Sequence, residues 1–303
     1  MTTPLTGAQY EIEAGGYRAT ITELGAGLRS LSRDGRPLII GYEADELPPH
    51  GAGQLLAPWP NRIDGGAYAF GGTRYQLPLS EIARGNAIHG LTRWMPWTLV
   101  AREGDEVTLR CAPVGQVGYP FAVQADVTYR LDAQAGLHVT VAAENKGSRP
   151  APWGTGHHPY LAVATTSVDE AELTLPADSW LPADDRGIPS GPPRDVAGTE
   201  FDFRVPRKIA GTVLDHAFTG LRPDADGLAR VRLDGGGASS VLWADGYRWL
   251  QVFTGDPLEP AMRRTALAVE PMTCPPNAFA TGDDLVILGP GESVSHRWGI
   301  QAG

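Results

Sequence analysis

Cysteine is scarce in this sequence, since only Cys111 and Cys274 occur among 303 residues. The two cysteines form no paired motif, and nothing around them indicates secretion, which is the setting where disulfides persist. We therefore expect two reduced thiols rather than a disulfide framework.

Long apolar runs and a basic leader are also lacking. No stretch approaches the roughly 18 apolar residues of a membrane span. The opening segment, MTTPLTGAQYEIEAGG, has neither the basic region nor the apolar region of a signal peptide. We expect a cytoplasmic protein without a membrane partner.

Positive charge is in deficit, with 25 basic residues against 35 acidic ones and a formal net charge of −10. An acidic surface repels phosphate backbones and anionic lipid headgroups. This balance argues against nucleic acid as a partner.

Several chemical motifs are missing as well. The seven histidines form no His-x-His or helical His-x-x-x-His pair, so no zinc site is predicted. The glycine run at Gly235 has no following lysine, which argues against a phosphate-binding loop, and no Gly-x-Ser-x-Gly elbow occurs. We expect neither a metal nor a cofactor.

What the sequence does contain is alternation with a period of two. Residues 107–111, 137–143 and 294–300 alternate apolar and polar side chains, as half-buried strands do. Residues 68–77 predict a hairpin that turns at Gly71-Gly72. No helical stripe lasts more than two turns.

These patterns predict an all-β fold: one large antiparallel β-sandwich domain spanning residues 1–303, with few short helices. The hydrophobic fraction of 42%, with eight tryptophans, suffices for a sizeable core. Prolines interrupt residues 176–198, where we expect a long irregular loop, of the kind that is more often functional or disordered than accidental.

Five short motifs place polar residues among apolar neighbours. They are Asn61-Arg62-Ile63, Ala87-Ile-His89-Gly90, Gly156-His157-His158-Pro159-Tyr160, Leu214-Asp215-His216 and Ala268-Val-Glu270-Pro271. Glu270 stands out, because its segment predicts an apolar strand that delivers one carboxylate and stops at Pro271. A carboxylate there is paired, hydrogen-bonded or functional, or else it ends a strand in water.

The other motif residues admit two interpretations each. His158, and equally His157 or His89, can act as a general acid or base or be satisfied by backbone carbonyls. Arg62 can bind a ligand or extend over apolar surface. Asp215 can bind a ligand or cap a turn.

Taken in order, from about Gly25 to the C-terminus, these motifs resemble those of the aldose 1-epimerase (galactose mutarotase) family. The resemblance implies that Glu270 is the catalytic base and His158 the general acid. It implies that Arg62, with Asn61 beside it, His89 and Asp215 bind sugar hydroxyls. We add Trp59 as an aromatic residue that could stack on the sugar.

The sequence also departs from the family pattern. Leu91 replaces the usual second glycine after His-Gly, and Ala57-Pro58-Trp59-Pro60 replaces the commoner Gly-Arg-x-Ala. These features are more similar to the bacterial YihR-type branch than to galactose mutarotase itself, and they leave the sugar open.

The implied reaction interconverts the α and β anomers of a free monosaccharide. One group takes the C1 hydroxyl proton while another protonates the ring oxygen, and both reverse their roles on closure. We expect Glu270 and His158 on opposite sides of the ring, in a monomer or weak homodimer. Two alternatives stay open: a hexose-6-phosphate 1-epimerase, with Arg263-Arg264 near the phosphate, and a non-catalytic sugar-binding protein on the same fold.

Overall fold

The computed structural model describes residues 3–303, and its regular secondary structure consists almost wholly of strands. In chain order the strands are β1 Gln9–Ala14, β2 Tyr17–Thr22, β3 Leu28–Arg33, β4 Arg36–Pro37, β5 Leu55–Leu56, β6 Arg62–Asp64, β7 Ala67–Phe70, β8 Thr73–Gln76, β9 Asn86–Ile88, β10 Thr98–Arg102, β11 Glu106–Cys111, β12 Val123–Asp132, β13 Gly136–Asn145, β14 Ala151–Trp153, β15 Gly156–His157, β16 Tyr160–Leu161, β17 Glu172–Thr174, β18 Ala177–Leu181, β19 Arg194–Asp195, β20 Arg207–Lys208, β21 Asp215–Leu221, β22 Ala229–Gly235, β23 Ala238–Asp245, β24 Trp249–Phe253, β25 Leu267–Met272, β26 Val286–Leu288 and β27 Ser293–Ala302.

Helical structure is confined to single turns. Within residues 3–303 the one α-helix is α1, Ala278–Thr281, and the 3₁₀ turns are Pro49–Gly51, Ile82–Arg84, Thr92–Trp94 and Val168–Glu170. None of the described helices is long and apolar enough to cross a membrane.

Three sheets carry most of the strands, and their paired strands run antiparallel. The largest has nine strands in the order β10-β11-β12-β13-β27-β23-β22-β17-β20. The second has the path β19-β18-β21-β24-β25-β15-β5, with β16 also pairing with β25, and the third is β1-β2-β3-β4. The prediction of an all-β antiparallel fold with few short helices is therefore confirmed.

One hydrophobic cluster joins the three sheets. It includes Val127 and Val139 of the nine-stranded sheet, Phe218 and Leu250 of the eight-stranded sheet, and Leu31 of the four-stranded sheet. Alternating burial along β11 and β12 sends every second side chain into this core. The two large sheets thus pack face to face, and the assignment of the whole chain to one domain stays a prediction.

The predicted hairpin at residues 68–77 is confirmed, since β7 pairs with β8 across Gly71 and Gly72. Both glycines have positive φ angles, 57° and 78°, which two-residue hairpin turns require and which glycine adopts at no steric cost.

Two local predictions were wrong. Residues 176–198 are not irregular throughout. Strand β18 ends just before Pro182, and it pairs with both β19 and β21. The strand that carries Glu270 does not stop at Pro271. Proline lacks one donor, but Met272 still pairs with Gly156 on one side and Trp249 on the other, so the ladder continues.

The alternation in β12 predicts a contrast between neighbouring positions. Leu131 is fully buried, whereas Arg130 is exposed. Leu131→Ala should lower the free energy of unfolding by about 2–5 kcal/mol through lost burial and a residual cavity. Arg130→Ala should change it by roughly 0.5 kcal/mol or less. Urea denaturation measures both, and equal losses at the two positions would contradict the burial pattern.

Candidate active site

The short β6–β9 ladder holds three of the predicted residues together. Arg62 opens β6 and faces Ile88 of β9. Asn61 and His89 flank the ladder with positive φ angles of 53° and 62°, and the His89 N–H donates to the Asn61 carbonyl at 2.8 Å. Such backbone conformations at residues other than glycine cost energy and are common at functional sites.

Three neighbouring strands of the eight-stranded sheet supply the acidic side. Asp215 begins β21, and Glu270 on β25 lies opposite Gln251 on β24. The Gln251 amide donates to Asp215 Oδ1 at 2.8 Å. Asp215 also lies 3.9 Å from the guanidinium of Arg84.

A break in the sheet places His158 against Glu270. β15 and β16 both pair with β25, and His158 with Pro159 lies between them. His158 Nε2 is 3.4 Å from Glu270 Oε1, and both side chains are buried. These two residues are 112 positions apart in sequence (270 − 158), so the sheet alone brings them together.

One cleft of about 400 Å³ collects these side chains. Of the seven predicted site residues, six line it: Asn61, Arg62, His89, His158, Asp215 and Glu270. Lining residues that the sequence reasoning did not single out include Glu81, Arg84, Arg93, Trp94, Gln251 and Phe253. Arg93 and Trp94 follow the His89-Gly90 motif by three and four residues, and this proximity was a signal that could have identified them. Glu81 belongs to none of the five motifs.

Trp59 does not belong to the cleft. It is only 2% exposed and packs edge-on against Phe279, with the ring centroids 5.6 Å apart. Its indole is therefore part of the hydrophobic core and cannot stack on a ligand. Trp94, which is 45% exposed and lines the cleft, offers the aromatic face instead.

Burial controls the electrostatics of the central pair. Removal from water raises the pKa of Glu270 well above its usual range, with a further rise from Asp215 and a smaller opposing effect of Arg62. Burial also lowers the pKa of His158 to about 3, and the charge of Arg93 adds to this effect. Both partners therefore favour their uncharged forms, in which Glu270 holds a proton and His158 is neutral.

His89 completes a buried group of three. One ligand atom each from His89, His158 and Glu270 lie within 4.8 Å of one another, and burial lowers the pKa of His89 well below its usual value. Two imidazoles and a carboxylate are a ligand set that zinc accepts. Tetrahedral zinc would need these atoms about 3.3 Å apart, so the side chains would have to close around it, and we assign no metal.

His157 faces away from the cleft and joins the two large sheets. Its Nδ1 accepts the Trp298 indole N–H at 3.0 Å, and its Nε2 lies 2.9 Å from the Tyr129 hydroxyl. Because indole can only donate, Nε2 carries the proton and donates to Tyr129, which in turn donates to the Ala26 carbonyl. Burial lowers the pKa of His157 to about 3.

This neutral histidine predicts a pH-dependent stability. The unfolded chain binds a proton at this position below about pH 6.5, whereas folded His157 binds one only near pH 3. Its contribution to the free energy of unfolding is complete above pH 6.5 and is lost as the pH falls toward 3. The loss should be steeper in the wild type than in His157→Asn by up to about 1.4 kcal/mol per pH unit.

Urea titrations between pH 7 and 4 measure this difference. Parallel curves for the wild type and His157→Asn would contradict the buried neutral imidazole.

Comparison with known proteins places this chain in a family. The sequence model of the aldose 1-epimerase family matches residues 8–301. The uncharacterised protein YihR of Escherichia coli is 39% identical over 288 residues, which cover 95% of this chain and 91% of YihR. Galactose mutarotase of Sus scrofa is 27% identical over 322 residues, covering 95% and 92%.

Solved structures show the same fold. The aldose epimerase homologue from C. elegans superposes with a TM-score of 0.86 at 22% identity, covering 98% of each chain. Galactose 1-epimerase from Lactobacillus acidophilus gives a TM-score of 0.79 at 21% identity, covering 96% of this chain and 93% of its own. The predicted resemblance is confirmed, and this chain belongs to the aldose 1-epimerase family.

Proposed function

We propose that this protein is a cofactor-independent aldose 1-epimerase that interconverts the α and β anomers of a free aldose. The observation that carries the proposal is the buried contact of 3.4 Å between Glu270 Oε1 and His158 Nε2 in a cleft lined with polar groups. A protein that only binds sugar needs hydroxyl contacts, but it does not need an acid and a base in contact.

The geometry supports ring opening by proton exchange. After Glu270 passes its proton to His158, the carboxylate accepts the C1 hydroxyl proton while the imidazolium protonates the ring oxygen, and the C1–ring oxygen bond breaks. Rotation about C1–C2 presents the other face of the aldehyde. The reverse transfers then close the ring, so no proton is gained or lost.

The short distance between Glu270 and His158 bears on the expectation that they lie on opposite sides of the sugar ring. A sugar ring does not fit between groups 3.4 Å apart, so Glu270 and His158 do not flank it from opposite sides in this arrangement. The C1 hydroxyl and the ring oxygen are both bonded to C1. An adjacent donor and acceptor can therefore reach both atoms from one side.

The remaining side chains fit the task of holding the ring. Arg62, His89 and Asp215 converge on the cleft with donors and an acceptor for hydroxyl groups. His89 Nδ1 and Glu270 Oε2 are buried atoms without a protein hydrogen-bond partner, as expected of groups that bind a polar ligand.

Removing the base tests the proposal. Glu270→Gln keeps the shape and removes the carboxylate, so sugar binding should persist while turnover falls about a hundredfold to ten-thousandfold. His158→Asn should reduce turnover similarly. Polarimetry of freshly dissolved α-D-galactose and α-D-glucose measures the rate.

His157→Asn is the matched control, because its imidazole lies in the core and its loss should affect turnover much less. Wild-type turnover in Glu270→Gln would contradict its assignment as the base. A large loss at His157 with little at His158 would reverse the roles of the two histidines.

A second candidate function is that of a hexose-6-phosphate 1-epimerase. The arginine that could bind the phosphate is not the one that the sequence suggested. Arg264 does not line the cleft, since its guanidinium is paired with Asp169 at 2.6 Å and Asp256 at 2.8 Å. Arg93 does line the cleft, and among residues 3–303 no carboxylate lies within ion-pair distance of it. Its guanidinium packs over the Trp94 ring at 5.1 Å and donates to the uncharged Gln54 Oε1 at 3.5 Å, so its charge is available to an anionic sugar.

A substrate panel separates the two candidates. Mutarotation measured by NMR on free, 6-phosphorylated and 6-sulfonated hexoses should favour the anionic sugars if Arg93 binds the substituent. In that case Arg93→Gln should lower kcat/KM for these sugars about tenfold or more, the range expected for a hydrogen bond to a charged group, and leave neutral sugars unchanged.

Arg102→Gln provides the control, because Arg102 lies outside the cleft on β10. Equal losses for neutral and anionic sugars in Arg93→Gln would reject the anionic preference.

A further inference from the structure

Arg62 does not enter the cleft as a free cation. Its Nε and Nη2 donate to the two carboxylate oxygens of Glu81 at 2.9 and 3.0 Å, and the side chains are only 11% and 20% exposed. Two parallel bonds between planar groups fix the guanidinium in both position and rotation. Arginine has five N–H donors, so three remain for other partners.

A second layer of contacts holds Glu81. The buried Asn86 amide donates to Glu81 Oε2 at 3.0 Å and to the Arg186 carbonyl at 2.9 Å. The Arg186 guanidinium in turn donates to Asn86 Oδ1 at 3.1 Å and forms an ion pair with Asp64 at 2.6 Å. The carboxylate is therefore anchored to β9 and to the loop after β18, and it is not a mobile surface group.

Gly187 closes the arrangement from the other side. A Cβ atom at this position would lie 2.6 Å from Arg62 Nη1 and 2.8 Å from its Cζ. Because that approach is too close for any side chain, glycine is what allows the loop backbone to lie against the guanidinium. Arg62 is thus held between Glu81 and the loop that carries Arg186 and Gly187.

We propose that Glu81 is a positioning residue for the sugar: it orients Arg62, and it neutralises the guanidinium so that the remaining N–H donors bind uncharged hydroxyls. This inference rests on the proposed sugar cleft. Within the cleft it assigns Glu81 and Gly187 to substrate binding, although neither residue is required for the proton transfers.

The charge balance supports this role. Burial alone would lower the pKa of Arg62, but the hydrogen bonds that Arg62 donates to Glu81 and the negative charge of the nearby Asp215 reverse the effect and raise it. Burial of Glu81 acts in the opposite direction, and the hydrogen bonds of Arg62 and Asn86 outweigh it and lower its pKa. The pair is therefore an ion pair at neutral pH with no net charge.

The test separates an effect through Arg62 from general damage. Calorimetry with D-galactose and D-glucose gives the affinity of Glu81→Gln, Arg62→Gln and the double variant, all in the inactive Glu270→Gln background. Glu81→Gln should weaken binding roughly tenfold, the scale of one hydrogen bond to a charged group. The double variant should bind no worse than Arg62→Gln alone, because Glu81 acts only through that arginine.

Two readouts would not respond to a merely structural role. In the Glu270-containing enzyme, Glu81→Gln should raise KM and leave kcat nearly unchanged, as expected when binding is lost equally from the ground state and the transition state. Inorganic phosphate should inhibit Glu81→Gln competitively at lower concentrations than it inhibits the wild type, because the Arg62 guanidinium is then unpaired.

Glu13→Gln is the matched control, since it removes an exposed ion pair with Arg18 far from the cleft residues. If Glu81→Gln does not fold, Gly187→Ala takes its place. The added methyl displaces Arg62 without removing a charge, so it should raise KM without strengthening phosphate inhibition relative to the wild type.

The outcomes distinguish this inference from the proposed function. Unchanged affinity in Glu81→Gln, or losses that simply add in the double variant, would overturn the role of Glu81. A wild type that binds sugar without mutarotation, together with weaker binding in Glu81→Gln, would reject the epimerase and keep the inference. A wild type that binds neither neutral sugar would overturn both.

Discussion

A short segment, from β15 to His158 just beyond its end, joins the core of this protein to its cleft. His157 lies between Trp298 and Tyr129 of the nine-stranded sheet, whereas the next residue, His158, contacts Glu270 in the cleft. Successive side chains of an extended chain project to opposite faces. The backbone pairing of β15 with β25 and β5 therefore carries a core residue and the adjacent catalytic candidate together, and the packing of the two sheets sets the geometry of the proposed acid.

The same division recurs on β21. Asp215 lines the cleft, and its neighbour His216 packs against Trp180 and Phe201. At both places one polar side chain reaches the cleft while the residue beside it packs into the interior. In the ladder between β24 and β25, Gln251 lies opposite Glu270. This pairing places the Glu270 carboxylate beside Gln251, whose amide donates to Asp215. Strands place side chains more rigidly than loops do, which suits a reaction that depends on the position of protons.

The sequence could predict what depends on local pattern. Alternation marks the strands, glycines mark the β7–β8 turn, and short polar motifs in apolar surroundings mark positions such as Arg62 and Glu270. Trp59 could not be placed in this way, because its orientation depends on the distant Phe279. Glu81 escaped notice for a related reason: its partner lies 19 residues away, and only the completed loop reveals the pair.

The two arginines of the cleft illustrate how one fold can serve different sugars. Arg62 is paired with a carboxylate, so it offers directed donors without attracting charge. Arg93 packs on Trp94, and burial lowers its pKa to about 10, which still leaves it a cation at neutral pH. Under the proposed function, the first arrangement fits the hydroxyl groups that all aldoses share, and the second fits a sugar that carries a negative substituent. Arg62 lies on the β6–β9 ladder and Arg93 in the 3₁₀ turn Thr92–Trp94, and only Arg62 is neutralised. On this proposal, substrate preference depends on which of these cations is left unpaired, and not on the architecture that presents them.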